Sequence, residues 1–303
     1  MAAGMDLRKK CAIVTGGARG IGLATARRLL RRGAAVSIWD LDATALEAAA
    51  EELRPLGRVH TARCDVGDPA AVGAGVREVA AALGGIDMLV NNAGYMAPGF
   101  FLDQPVEQWR KTVDINLQAI LHTTHAVLPY LYEQGSGHIV NISSAAGLLG
   151  VPSLAVYSAT KWAVYGLTEA LREEAWATGH AGVKYSSIHP NFLKTGMFEG
   201  AQLRGFGAVI FPRVDGHDVI AKAVVEKALR RGRRVVRRPR SLRLVPFLRG
   251  LLPDPAFGAI GRAAKLHTTM ESWQGAAGAA DRHRGADGAE RRGRSESAAQ
   301  SRA

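Results

Sequence analysis

The chain is poor in cysteine and in aromatic side chains, has no long apolar run, and carries no excess of acid. Its two cysteines, Cys11 and Cys64, in 303 residues make neither a disulfide framework nor a metal site, so both read as buried free thiols in a reducing compartment. No apolar stretch approaches the ~18 residues of a membrane span. Met1 to Lys10 lacks the apolar core of a signal segment, so a cytoplasmic protein is expected. His122, His125 and His189 have no further ligand at metal spacing; structural or solvent-facing roles, and no metal, are expected. With 47% apolar residues and 35 glycines, the chain can fill a sizeable core in a fold with many tight turns.

The net charge of +12 is unevenly distributed. From Lys227 onward there are 18 basic and 6 acidic residues, whereas residues 1–226 hold 21 of each. A neutral body with a basic tail argues against a nucleic-acid-binding core. The tail also lacks interleaved aromatics beyond Phe247 and Phe257, so no nucleic-acid partner is expected.

The body alternates between strand and helix patterns. Cys11–Val14 is a short apolar run suited to a strand buried on both faces. It leads directly into Thr15-Gly16-Gly17-Ala18-Arg19-Gly20-Ile21-Gly22 and then a helix ending at Gly33. In this strand–turn–helix context, glycines let backbone approach a pyrophosphate, and the helix N-terminus offers free N–H groups to the anion. The next strand, Ala34 to Trp39, ends in Asp40. A carboxylate there can accept hydrogen bonds from ribose hydroxyls and repel a 2′-phosphate, which favours NAD(H) over NADP(H). Arg19 is the counter-signal, because its guanidinium could pair with that phosphate. A helix-capping or turn role for Asp40 stays open.

A helix at 43–54, a strand at 59–63, a helix at 69–83 and a strand at 86–90 follow. Asp65, beside Val66, could meet the adenine or cap the next helix. Asn91-Asn92-Ala93-Gly94 sits at a carboxyl edge, where it could line a ligand or form an ordinary turn. One long helical stretch is predicted from Pro105 to Tyr132, with Asn116 inside it as a mediocre helix former. Strands at 138–142 and 183–188 flank a helix at about 154–177. The alternation implies an α/β fold: a single doubly wound parallel sheet of about seven strands, with helices on both faces. Residues 192–215 are irregular and read as a substrate lid, with Phe192, Met197, Phe198, Phe206, Val209, Ile210 and Phe211 as candidate pocket or packing residues.

Tyr157 and Lys161 stand four residues apart and so share a helix face. A free phenol has a pKa of about 10, and an ammonium beside it favours the phenolate, making the pair a candidate general acid/base. Ser144, at the preceding strand end, can converge with the phenol on one substrate oxygen.

Taken in order, Thr15–Gly22, Asn91–Gly94, Asn116, Ser144, Tyr157 and Lys161 resemble the short-chain dehydrogenase/reductase family over about residues 6–240. Ser144 stands thirteen residues before Tyr157, the family's usual separation, which selects it over Ser143. The resemblance implies a Rossmann-like catalytic domain over residues 1–240 that moves a hydride between nicotinamide and substrate. It implies that Tyr157 exchanges the proton, Lys161 lowers its pKa and holds the ribose, Ser144 binds the reacting oxygen, and Asn116 anchors a water leading to Lys161. It assigns cofactor contacts to Gly16, Arg19, Gly20, Ile21, Gly22, Asp40, Asp65, Val66, Asn92, Ala93, Gly94, Pro190 and Thr195, and implies a homodimer or homotetramer assembled through the two long helices. One departure stands out: Pro190-Asn191 replaces the family's Pro-Gly, and the asparagine is expected to take the turn through its tolerance of positive φ. The wording from Ile188 to Phe198 is similar to the branch containing retinol and 17β-hydroxysteroid dehydrogenases. That implies a lipophilic alcohol or ketone.

Beyond the expected last strand at Val235-Val236, residues 241–273 form a basic amphipathic extension. It reads either as a helix packed on the lid, the preferred reading, or as a membrane-surface helix giving weak peripheral contact. Residues 274–303 are Gly/Ala/Arg/Ser-rich and are expected to be disordered. The competing functions are a ketoreductase of another substrate class and a non-catalytic nucleotide-binding scaffold. Intact Ser144, Tyr157 and Lys161 speak against the scaffold.

Overall fold

Apolar runs separated by glycine and asparagine turns dictate the architecture. The computed structural model describes residues 4–201, 203 and 205–273; the expected disordered tail lies outside the described residues. In chain order the elements are β1 (Cys11–Thr15), α1 (Gly20–Leu30), β2 (Ala35–Asp40), α2 (Ala43–Leu53), β3 (Val59–Arg63), α3 (Pro69–Leu83), β4 (Met88–Asn91), α4 (Val106–Val113) and α5 (Ala119–Glu133). They continue with β5 (Gly137–Ile142), α6 (Ala155–Ala177), β6 (Val183–Pro190), α7 (Phe206–Ile210), α8 (His217–Lys222), β7 (Val235–Arg238), α9 (Leu244–Leu251) and α10 (Asp254–Ala263).

Among the described residues, seven strands form one sheet in the order β3-β2-β1-β4-β5-β6-β7, and every pairing is parallel. Strand alternation divides the core between the two faces. Val14, Val90 and Val140 pack with Leu29 of α1, Leu53 of α2 and Ile220 of α8. Ile13, Leu89 and Ile139 pack on the other face with Val76 of α3 and Val127 and Leu131 of α5. The strand order reverses between β1 and β4, and the crevice at such a reversal is where parallel α/β sheets take ligands.

The single helix expected from Pro105 to Tyr132 is interrupted. Between α4 and α5, residues Asp114–Gln118 form a π-turn in which the Ala119 N–H reaches back to the Asp114 carbonyl. Fully buried Asn116 lies inside it. Its side-chain oxygen accepts the Tyr95 N–H at 2.8 Å, and its amide donates to the Tyr95 carbonyl at 2.8 Å and to Thr160 Oγ1 at 3.2 Å. An asparagine that competes with the backbone for partners is a residue that disturbs a helical ladder, and here it ties that disturbance to the loop after β4 and to α6.

Asn91 serves the sheet. Its amide donates to Asn141 Oδ1 at 2.9 Å and to Thr124 Oγ1 at 3.2 Å, its oxygen accepts from Thr123 Oγ1 at 2.7 Å, and Asn141 donates onward to Thr168. Each polar group in this buried ladder is satisfied, as burial requires. Asn91 therefore serves the packing of the sheet, and the cleft wall begins one residue later, at Asn92.

Candidate active site

The glycine turn after β1 is pinned from β4. Thr15 Oγ1 accepts the N–H groups of Asn92 and Ala93, each at 3.0 Å, and the Asn92 amide donates to the carbonyls of Thr15 and Gly16 at 3.0 and 3.1 Å. Gly16 has φ +59°, in the left-handed region that favours glycine. A Cβ on Gly22 would sit 2.1 Å from the Gly16 carbonyl oxygen, so α1 can approach the turn this closely only with glycine there. The result is a backbone cradle at a helix N-terminus, suited to a pyrophosphate.

The cradle opens onto a cleft of about 820 Å³. Gly16, Arg19, Gly20, Ile21, Asp40, Asp65, Val66, Asn92, Ala93, Gly94, Ser144, Tyr157, Lys161, Pro190 and Thr195 all line it. Of the expected nucleotide contacts, Gly22 alone stands behind the cradle instead of on it. Asp40 lies at the carboxyl end of β2 and accepts the Ala18 and Asp42 N–H groups, both at 3.3 Å. Asp65 accepts the Gly67 N–H at 2.9 Å, a turn role, while still facing the cleft. The Arg19 guanidinium pairs with Asp42, whose carboxylate also caps α2 through the Ala45 N–H.

Tyr157 and Lys161 share the first turns of α6, and both are buried. The Ser143 hydroxyl donates to the Lys161 carbonyl at 2.8 Å, and the Thr160 hydroxyl to the Tyr157 carbonyl at 2.7 Å, anchoring this end of the helix. The Lys161 ammonium donates to the Ile142 carbonyl at 3.1 Å and stands 5.5 Å from the centre of the Tyr157 ring. Ser143 thus spends its hydroxyl on α6, whereas the Ser144 oxygen accepts the Ala146 N–H at 3.2 Å and lies near enough to the Tyr157 phenol to lower its pKa.

The surroundings of the pair work against the expected lowering of the phenol's pKa by Lys161. Met96, Val151, Leu154, Phe192 and Phe198 enclose Tyr157, and burial pushes its phenol up to about 12, with the Ser144 hydrogen bond working in the opposite direction. Burial likewise drives Lys161 down to about 8. Desolvation disfavours the charged form of each group, so the phenol stays protonated, while Lys161, at about 8, is still largely an ammonium at neutral pH.

Asn191 does not adopt positive φ. Its amide instead spans to the carbonyls of Phe211 and Pro212 at 2.9 and 3.2 Å, tying the far end of the 192–215 segment to the end of β6. The turn survives by side-chain bridging.

On the other side of Ser144 and Tyr157 lies a second, apolar pocket of about 90 Å³. Val151 and Leu154 line it from the body, Phe192, Phe198 and Phe211 from the lid segment, and Val245, Leu248, Phe257 and Ile260 from α9 and α10. Of the other lid candidates, Met197 faces the nucleotide-shaped cleft, Val209 is exposed, Ile210 lines neither space, and the Phe206 side chain lies outside the described residues. Ser144, Tyr157, Asn191 and Phe198 border both spaces.

Sequence reasoning missed His217 and Trp273 in the cleft wall. His217 opens α8, and a Cβ on Gly196 would come within 3.2 Å of its Nε2. The Trp273 indole donates to the Met197 carbonyl at 2.9 Å. No local pattern marks either residue, because each arrives from a distant part of the chain.

The sequence model for the short chain dehydrogenase family matches residues 10–204. The chain is similar to the 2-dehydro-3-deoxy-L-rhamnonate dehydrogenase (NAD(+)) of Sphingomonas sp., with 40% identity over 56% of this chain and 68% of that protein. It is 33% identical to the human epidermal retinol dehydrogenase 2 over 80% of this chain and 77% of the relative. A short-chain dehydrogenase/reductase from Burkholderia phymatum, solved in complex with NAD, superposes with a TM-score of 0.73 at 27% identity, covering 82% of this chain and 95% of the other.

Burial of Lys161 makes stability depend on pH. Its folded pKa of about 8 lies below the ordinary 10.5, so between these values the unfolded chain binds more protons and stability rises with pH. Urea titrations without nucleotide should show a gain of about 2–3 kcal/mol from pH 8 to 10, absent in Lys161→Met. Above pH 10 the raised phenol of Tyr157 acts oppositely, its stabilisation being lost towards pH 12.

Proposed function

The chain belongs to the short-chain dehydrogenase/reductase family of nicotinamide-dependent oxidoreductases, and we propose that it transfers a hydride between NAD(H) and a lipophilic alcohol or ketone. The observation that carries this reading is the shared wall. Ser144 and Tyr157 border the nucleotide-shaped cleft on one side and an apolar pocket with no Lys, Arg, Asp or Glu in its lining on the other. A charged substrate such as a sugar acid would find no counter-charge there, and burying an unpaired charge is costly.

The glycine cradle and the Asn92 clamp fit a dinucleotide. The Gly16–Gly22 turn would hold its pyrophosphate, Asp40 the adenosine ribose, and Lys161 the nicotinamide ribose. When bound, the nicotinamide supplies the hydride-exchanging carbon and, once oxidised, a positive charge. In the oxidation direction Tyr157, as phenolate, takes the hydroxyl proton of the substrate, and in reduction it returns that proton to the carbonyl oxygen. The Ser144 hydroxyl hydrogen-bonds the same oxygen and orients it towards the phenol. Deprotonation of Tyr157 is favoured when Lys161 is an ammonium, since opposite charge stabilises the phenolate. A Cβ on Gly94 would stand 3.4 Å from Asn116 Oδ1 and 3.8 Å from Lys161 Nζ. The room left by this glycine supports a bridging water between the two, by which the lysine exchanges its proton.

Preference for NAD(H) is supported by Asp40 facing the cleft and by the pairing of Arg19 with Asp42, which offsets the one guanidinium of the glycine turn. Exposed Leu121 and Trp176, on α5 and α6, support assembly as a homodimer or homotetramer through these helices.

The proton role predicts that Tyr157→Phe keeps NADH affinity within about twofold, since it removes only one hydroxyl, and loses a thousandfold or more in kcat, on the order of 4 kcal/mol of barrier. Turnover on retinoid-like, steroid-like and long-chain alcohols should exceed that on sugar acids. Retained turnover in the variant, or a preference for the acids, would refute the reading. Asp40→Ala should raise kcat/KM with NADP by about tenfold or more as the repulsion of the 2′-phosphate disappears. A wild-type enzyme that already prefers NADPH would contradict the role of Asp40.

A further inference from the structure

The two faces of α9 differ in what they meet. Val245 and Leu248 point into the apolar pocket. Leu244, Phe247 and Leu251, at i, i+3 and i+7, share the opposite face and are exposed, Phe247 at 64% and Leu251 at 67%. Ile260 of α10 lines the pocket and is also 45% exposed, so it stands at the pocket's mouth. Val209 of α7, 79% exposed, lies on the neighbouring helix, since a Cβ on Gly207 would touch the Ala264 carbonyl.

The charge around this surface has one sign. Residues 237–265 contain seven Lys or Arg and one acid, Asp254. Arg240 and Arg243 continue the Leu244, Phe247 and Leu251 stripe towards the N-terminus, and Arg262 and Lys265 flank the mouth on α10 and just beyond it; all four are exposed. Burial, and after it the charges of Arg240 and Arg243, lower the pKa of neighbouring Arg238.

We propose that α9, α10 and α7 form a docking surface for an anionic lipid membrane, which sets the mouth of the apolar pocket against the bilayer. An apolar stripe inserts into the headgroup–acyl boundary while the surrounding cations meet anionic headgroups. A second protein copy is the less suitable occupant, because two such surfaces would oppose like charges across the contact. The described pocket admits only a short apolar segment, so a larger substrate enters by shifting the roof formed by α9 and α10, the part that would touch the membrane. The purpose of the surface rests on the lipophilic-substrate reading; its existence is tested apart from it.

The test uses the full chain with neither nucleotide nor substrate. Co-sedimentation is measured with phosphatidylcholine vesicles, with and without phosphatidylserine, at low and high salt. Wild-type protein should pellet with the phosphatidylserine vesicles and be released by salt. Phe247→Ser/Leu251→Ser should bind about tenfold more weakly, with unchanged turnover of a water-soluble alcohol, as neither side chain lines the pocket. The proposal is overturned if wild type fails to pellet, if the double variant pellets equally, or if the substitutions change only self-association in sedimentation velocity. Because binding and turnover are read separately, failure of one leaves the other standing.

Discussion

The structure is arranged around the burial of one ammonium and one phenol on the first turns of α6. Lys161 is held by the Ile142 carbonyl, Tyr157 is packed among apolar side chains beside Ser144, and little water reaches either. Removing two ionisable groups from water is costly, and the folds around them follow from that cost. Ser143 and Thr160 anchor α6, while Asn116 bolts the π-turn and the Tyr95 loop to the same helix. Burial thereby holds the phenol protonated beside an ammonium, the state against which any added positive charge would act.

The same two residues also form a partition. On one side the sheet's strand-order reversal, the glycine turn and the Asn92 clamp produce a polar-backbone cradle. On the other, the 192–215 segment and the C-terminal helices produce a space whose polar side chains are Ser144, Tyr157 and Asn191. Asn191 borders both and ties the 192–215 segment to β6. A chain with glycine at this position would lack that tie, so the asparagine couples the 192–215 segment to the strand end at the cleft.

Much of this was legible in the sequence because it is local. Alternating apolar runs point to the strands and to a parallel sheet, and Gly16–Gly22, Ser144, Tyr157 and Lys161 carry spacings whose chemistry can be reasoned without coordinates. What escaped was non-local. Trp273 reaches the cleft from 76 residues beyond its partner Met197, and no periodicity announces it. Asn91 and Asn92 look alike in the sequence, but strand alternation buries the first in a polar ladder and turns the second to the glycine turn. The phenol's upward shift was missed because a Tyr–Lys spacing states which charges are near but not how much water is gone. The interruption after α4 was visible only as a poor helix former at Asn116, whose partners lie on two other segments.

The central claim is that the protein alone holds Tyr157 protonated and that added positive charge releases the proton. It is tested most directly by following tyrosinate absorbance with pH as the difference between wild type and Tyr157→Phe, with and without NAD. The account predicts a difference signal appearing only near pH 12 in the free protein, moving towards neutrality when NAD is bound, and moving less in Lys161→Met. A midpoint that NAD leaves unchanged, or that already lies near neutrality without it, would contradict the account.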